Sequence, residues 1–221
     1  MALPAPAPDA ITQSILWLHS SDAITLLLAR HGQPGPAVRP DASHHASHGH
    51  PLTPLGHRQA RRLGQRLSKL PLDHLYCSPL ARSHQTALAV HAHHPTIPLE
   101  VRDDIVEVGV LHNAYTPAPR RKALLEQMEQ ERATAMKFVR HFRKAHQPGQ
   151  IVAAVLHGNL NNLLMSLFLE LPARTFYSKQ NHTCVNVLTI PPRGKAYLGL
   201  INCTRHLPAS MIGTGNIMAA V

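Results

Sequence analysis

Aromatic side chains are scarce in this chain: Phe, Tyr and Trp together make up 4% of its 221 residues. Its core must therefore be built mainly from Leu, Val, Ile and Ala. Cysteine is scarcer still. Cys77, Cys184 and Cys203 form no C-x-x-C pair and are odd in number, which argues against a disulfide framework and for a reducing compartment. Acidic residues are also few, with 12 Asp and Glu against 22 Lys and Arg. Charged residues are 15% and hydrophobic residues 44% of the chain, a balance that excludes intrinsic disorder. No run approaches the roughly 20 apolar residues of a membrane span. The start, Met1 to Asp9, is rich in Pro and Ala and lacks the basic and apolar regions of a secretory signal. A globular, cytoplasmic protein with no membrane partner is expected.

The length suits one domain with a substantial core. We place it at 24–207, after an extended segment at 1–23 and before a tail at 208–221. The net charge of +10 favours anionic partners. Nucleic acid is a secondary candidate, because no Arg-rich tail, aromatic-interleaved basic motif or zinc-finger spacing occurs. Composition says nothing about oligomeric state.

Short apolar runs alternate with helical patterns. Ile24–Ala29, Asp73–Cys77, Ile97–Val101 and Ile151–Leu156 read as strands or extended pieces, and Val185–Ile190 and Ala196–Ile201 as a strand–turn–strand pair. Helices are expected from Thr53-Pro54 to Lys69, Leu80 to Ala92, Pro117 to His146 and Asn159 to Leu171. Thr53 and Ser78 each precede a proline and read as N-caps. The face Arg58, Arg62, Arg66 reads as solvated. The order implies an α/β fold, with a mostly parallel sheet covered on both sides.

Two of the strands end alike. Leu26 to Ala29 runs into Arg30-His31-Gly32, and Ala153 to Leu156 into His157-Gly158. Parallel strands that both finish in His-Gly put two imidazoles at the carboxyl edge of one sheet, where ligands of open α/β sheets bind. Arg30 and Arg82 supply permanently charged, forked donors that match phosphate oxygens. Histidine is a competent nucleophile toward phosphorus when its attacking nitrogen is unprotonated, and nearby cations keep it so. A carboxyl must protonate the departing oxygen. Glu107 is the first candidate, with Glu100, Asp103 and Asp104 close enough in sequence to compete. His44, His45, His48 and His50 invite a metal, but they lie in a Ser-, Gly- and Pro-rich loop that reads as solvated.

Arg30-His31-Gly32, Leu52-Thr53-Pro54-Leu55-Gly56, Tyr76-Cys-Ser-Pro-Leu-Ala-Arg82 with Gln85-Thr86, and Leu156-His157-Gly158 occur in this order. Together they resemble the histidine phosphatase superfamily, also called phosphoglycerate-mutase-like, from about Ile24 to Leu207. The resemblance implies a three-layer α/β/α sandwich and a phosphohistidine on His31. It implies a phosphoryl clamp of Arg30, Arg82 and His157, Glu107 as proton donor, and neither metal nor cofactor. It implies a phosphomonoesterase acting on a phosphorylated metabolite or a phosphoprotein. The alternatives are mutase-type phosphoryl transfer and a phospho-ligand-binding module with little turnover. Gln33-Pro34-Gly35 stands where the mutases carry Glu-Ser, which favours hydrolysis. Gly109-Val-Leu-His-Asn113 replaces the Gly-x-Trp-Glu-Gly of many small-molecule members. His157-Gly158-Asn159 resembles the protein Ser/Thr phosphatase branch, whose amino-terminal membrane anchor is not expected here.

Overall fold

A computed structural model describes residues 13, 15–16, 18–36, 49–109, 118–172 and 176–212, the side chains of 118–121 excepted. Six strands, β1 (Ile24–Arg30), β2 (His74–Cys77), β3 (Leu99–Val101), β4 (Ile151–Leu156), β5 (Val185–Ile190) and β6 (Tyr197–Cys203), form one sheet in the order β3-β2-β4-β1-β5-β6. The first four run parallel, while β5 is antiparallel to β1 and β6 to β5. Helices α1 (Pro54–Leu67), α2 (Ala81–His91), α3 (Ala118–Ala145) and α4 (Gly158–Phe168) cover it.

The side-chain alternation of each strand sorts the core into two clusters. Leu26, Leu28, Val152, Ala154 and Leu156 join Phe138 and Phe142 of α3 and Leu164 and Phe168 of α4. Leu27, Ala29, Ala153 and Val155 join Leu63 and Leu67 of α1 and Ala87 and Val90 of α2. The result is the expected three-layer α/β/α sandwich. Because both faces are covered, β1 and β4 are continuously apolar rather than alternating. The few aromatics are concentrated, with Tyr76 edge-on to Phe138 at 5.3 Å and Phe142 edge-on to Phe168 at 5.5 Å. Such pairs stabilise by about 0.5–1.5 kcal/mol beyond the area they bury.

Thr53 caps α1 as expected, its Oγ1 accepting the Gly56 N–H at 3.0 Å with Pro54 in the first turn. That helix start packs directly on the loop after β1. A Cβ on Gly32 would lie 2.6 Å from the Gly56 carbonyl oxygen, and one on Gly56 would collide with the carbonyl oxygen of Gln33. Both glycines serve a close backbone approach.

Four expectations need correction. Ser78 is not an N-cap: α2 starts at Ala81 behind an extended Leu80, and the Ser78 N–H is taken by Ser83 Oγ at 3.2 Å. Arg66 is 7% exposed and so leaves the solvated face that keeps Arg58 and Arg62. The segment 1–23 is not extended throughout, since residues 13, 15, 16 and 18 are helical and Ile15 is fully buried. Helix α4 ends at Phe168, where Glu170 at φ 54° lets the Leu171 N–H reach back to Ser166 O at 2.9 Å.

Gly56→Ala is expected to destabilise by about 1–3 kcal/mol, the usual range for overpacking. Urea unfolding checks it as a lower midpoint at unchanged slope, and an unchanged midpoint would mean that the contact with Gln33 relaxes freely.

Candidate active site

The pairing of β1 with β4 brings the two His-Gly sequences together. Arg30 lies opposite Leu156, and the His31 N–H donates to Leu156 O at 2.9 Å. The rings of His31 and His157 then stand edge to face, with centroids 5.1 Å apart. Both are buried, at 2% and 0% exposure.

The protonation of His31 follows from its partners. Nδ1 faces the Gly32 carbonyl at 2.6 Å, and a carbonyl can only accept. Nε2 faces Arg82 Nε at 3.1 Å, and a guanidinium can only donate. A ring satisfying both carries its proton on Nδ1 and a lone pair on Nε2. Burial holds the His31 pKa well below the ordinary histidine value, and His157, Arg30 and Arg82 push the same way. His157 is lowered by burial and then by Arg82 and Arg30. Neither of its ring nitrogens has a partner among the described residues.

Arg30 is held from behind. It donates through Nη1 to Gln180 O at 2.5 Å, while its buried Nε has no partner. Gln180 is anchored in an amide network: its Oε1 accepts from Asn186 Nδ2 at 2.8 Å and Asn161 Nδ2 at 3.3 Å, and its Nε2 donates to Ser178 Oγ at 2.7 Å. Asn186 reaches from β5 to the Leu28 carbonyl on β1 at 3.0 Å. Gly158 lies beside this arginine, where a Cβ would meet Arg30 Nε at 3.5 Å. Arg82 sits on the first turn of α2, and Thr86 one turn later ties that helix to the loop after β1. Thr86 Oγ1 accepts the Gly32 N–H at 3.0 Å and donates to Arg82 O at 2.7 Å. Gln85 accepts the Leu52 N–H at 2.8 Å.

Glu107 follows the single turn Asp103–Ile105 and comes to the same site. Its Oε1 accepts from Val108 N and from Leu160 N in the first turn of α4, each at 3.2 Å. Burial raises its pKa, against those two hydrogen bonds and the charges of Arg30 and Arg82. The structure separates it from its competitors. Glu100 and Asp104 are bound to Arg102 at 2.6 and 2.8 Å, and Asp103 is exposed.

The ring of His182, to which the sequence assigned no chemistry, lies 5.9 Å from that of His31. Burial and Arg30 lower its pKa to about 3, and its Nδ1 is buried without a partner. Gln180, Asn186 and His182 carry no recognisable signal in sequence, because their place depends on how β5 returns beside β1. His44, His45 and His48 lie outside the described residues, as do residues 110–117. His50 Nδ1 faces Gly35 O at 2.7 Å. Among the described residues no cluster of His, Cys, Asp or Glu could hold a metal ion.

Two cations, two neutral imidazoles and a carboxyl of raised pKa thus converge at the carboxyl ends of β1, β2 and β4. Such a set can bind an oxyanion, present an unprotonated nitrogen to it and supply a proton.

Solved structures share this architecture. A mycobacterial glucosyl-3-phosphoglycerate phosphatase superposes with a TM-score of 0.63 at 19% identity, covering 82% of this chain and 100% of its own. An α-ribazole phosphatase from Shigella flexneri gives 0.64 at 20% identity, covering 81% and 96%. A phosphoglycerate mutase from Bacillus anthracis gives 0.63 at 18%, covering 84% and 96%. These likenesses establish the fold. No curated protein matches the chain in sequence. The model of the histidine phosphatase superfamily (branch 1) matches residues 26–114 and 110–203. That span takes in β1, β2 and β4 with His31, Arg82, Glu107 and His157, and the chain belongs to the histidine phosphatase superfamily.

Proposed function

We propose that the chain is a metal-independent phosphomonoester hydrolase working through a phosphohistidine on His31. The observation that carries this reading is the tautomer of His31: Nδ1–H on the Gly32 carbonyl, Nε2 bare and facing Arg82.

The Nε2 lone pair attacks phosphorus as Arg82 releases it, forming an N–P bond while the ester P–O bond breaks. Arg30, Arg82 and His157 hold the three equatorial oxygens, whose charge they stabilise in a dry site. The two guanidiniums supply there the positive charge that phosphoryl-transfer sites often take from a metal. Glu107 gives its proton to the departing oxygen. Its carboxylate then takes a proton from water, whose oxygen attacks phosphorus. The N–P bond breaks, returning the electron pair to Nε2 and releasing inorganic phosphate. Gly32 keeps the Nδ1 proton throughout, offsetting the positive charge of the phosphorylated ring.

Hydrolysis is favoured over transfer by Gln33, which stands where the mutases carry Glu and whose Oε1 accepts the Thr53 hydroxyl at 2.8 Å. The substrate is a phosphate monoester of a metabolite or a protein. Two of the structural neighbours are named for phosphorylated small molecules, which supports that class.

Turnover of an aryl phosphate is expected to survive excess chelator and to fall at least about 10³-fold in His31→Ala. Acid-labile, base-stable label on His31 in rapidly quenched enzyme checks the intermediate. Tight phosphate binding with no turnover by wild type would instead identify a binding module.

Glu107→Gln is expected to slow alkyl phosphates by about 10²–10⁴-fold, and esters of acidic phenols much less, since those leave without a proton. An equal loss on both would remove Glu107 from the acid role.

The pH profile of kcat/KM, which reports groups of the free enzyme, has a defined sense. His31 is lowered, so the nucleophile stays unprotonated below the ordinary histidine pKa of about 6.5, and the acid limb lies beneath that value. Glu107 is raised, so the rate falls with rising pH as its proton is lost, above the ordinary carboxyl range. Loss of the alkaline limb in Glu107→Gln is the check.

A further inference from the structure

Among the described residues Arg66 is a buried cation without an anion. Its Nη1 donates to Cys203 O at 3.4 Å and His206 Nδ1 at 3.1 Å, and its Nη2 to Cys203 Sγ at 3.4 Å. Its Nε is buried and has no partner. Among the described residues it forms no ion pair with a carboxylate. Every acceptor it has is neutral. His206 is one of them, and burial with the adjacent guanidinium holds its pKa down at about 3. Since its Nδ1 accepts from Arg66, its Nε2–H donates to Thr183 Oγ1 at 3.3 Å. A guanidinium removed from water with neutral partners alone recovers little of its desolvation cost, which an opposite charge would offset.

The space for that charge is present. Arg66 and Arg205 line a cavity of about 480 Å³ at the end of β6, together with Asn202, Cys203 and Thr204. No carboxylate lines it. Its volume falls within the range of small-molecule sites and exceeds what a single inorganic ion needs. The cavity is distinct from the catalytic site, to which it is joined through a short chain. Thr183, which receives the His206 hydrogen bond, donates its backbone N–H to His31 O at 3.3 Å.

We propose that this cavity is a second, non-catalytic site for a small multivalent oxyanion such as a phosphate ester, with Arg66 as its buried anchor and Arg205 at its exposed rim. Arg66 supplies a buried positive charge at the cavity wall, and Arg205 adds a second charge that a neutral ligand would leave unused. The site stands independently of the reaction assigned to His31.

Cys203 is a built-in reporter. It lines the cavity and is partly exposed, whereas Cys77 and Cys184 are buried. The rate at which neutral iodoacetamide alkylates it is read by peptide mass spectrometry, in the full chain, against inorganic phosphate, pyrophosphate and citrate. Saturable protection is expected, stronger for pyrophosphate than for phosphate, while citrate separates carboxylate from phosphate recognition. In Arg66→Gln the protecting concentration should rise about ten- to a hundredfold, the loss of a charge-assisted hydrogen bond. Arg205→Ala, at an exposed position, tests the same site without disturbing the core and should raise it severalfold. Arg82→Ala, which cripples the catalytic clamp, should leave protection unchanged. Absence of protection by all three anions, protection that survives in both Arg66→Gln and Arg205→Ala, or protection lost in Arg82→Ala would each overturn the proposal.

Discussion

The hydrogen bond from His31 N to Leu156 O closes the parallel ladder between β1 and β4, and the geometry of the candidate site is built outward from it. It places the ends of two buried strands side by side, so that His31 and His157 share one desolvated space. Everything else near the site holds that register or takes advantage of it. Gly32 and Gly56 let the helix start of α1 close against the loop, and Thr86 ties α2 to the Gly32 amide. A one-residue slip would send His31 to the opposite face of the sheet.

Electrostatics in this molecule depends on cations held out of water. Burial lowers the pKa of His31 and His157, and the charges of Arg30 and Arg82 push the same way. The burial that lowers the imidazoles of His31 and His157 raises the carboxyl of Glu107, so one environment shifts the two kinds of group in opposite directions. Around Glu107 the hydrogen bonds from Leu160 and Val108 and the charges of the two arginines oppose that rise. Arg66 poses the same physical problem on the far side of α1, with neutral acceptors in place of a carboxylate.

Much of this was legible in the residues. The strands Ile151–Leu156 and Val185–Ile190 stand where their apolar runs put them, because a doubly covered strand must be continuously hydrophobic. Thr53-Pro54 was readable because an N-cap acts within one turn. Ser78-Pro79 has the same look but a different outcome: the Ser78 hydroxyl accepts from Leu80 N at 3.4 Å, and Leu80 stays extended, so the helix starts only at Ala81. Arg66 was misplaced because charge alone says nothing of what β6 and His206 bring over a helix face.

Local sequence alone determined the α/β alternation and the paired His-Gly strand ends, since each depends on neighbours along the chain. Tertiary structure decided the tautomer of His31, the separation of Glu107 from Glu100, Asp103 and Asp104, and the Gln180–Asn186 network behind Arg30. Those outcomes depend on burial and on partners more than fifty residues away in several cases, such as Arg82 for His31 and Leu160 for Glu107. No local pattern encodes them, because desolvation and hydrogen-bond direction exist only once the strands have met.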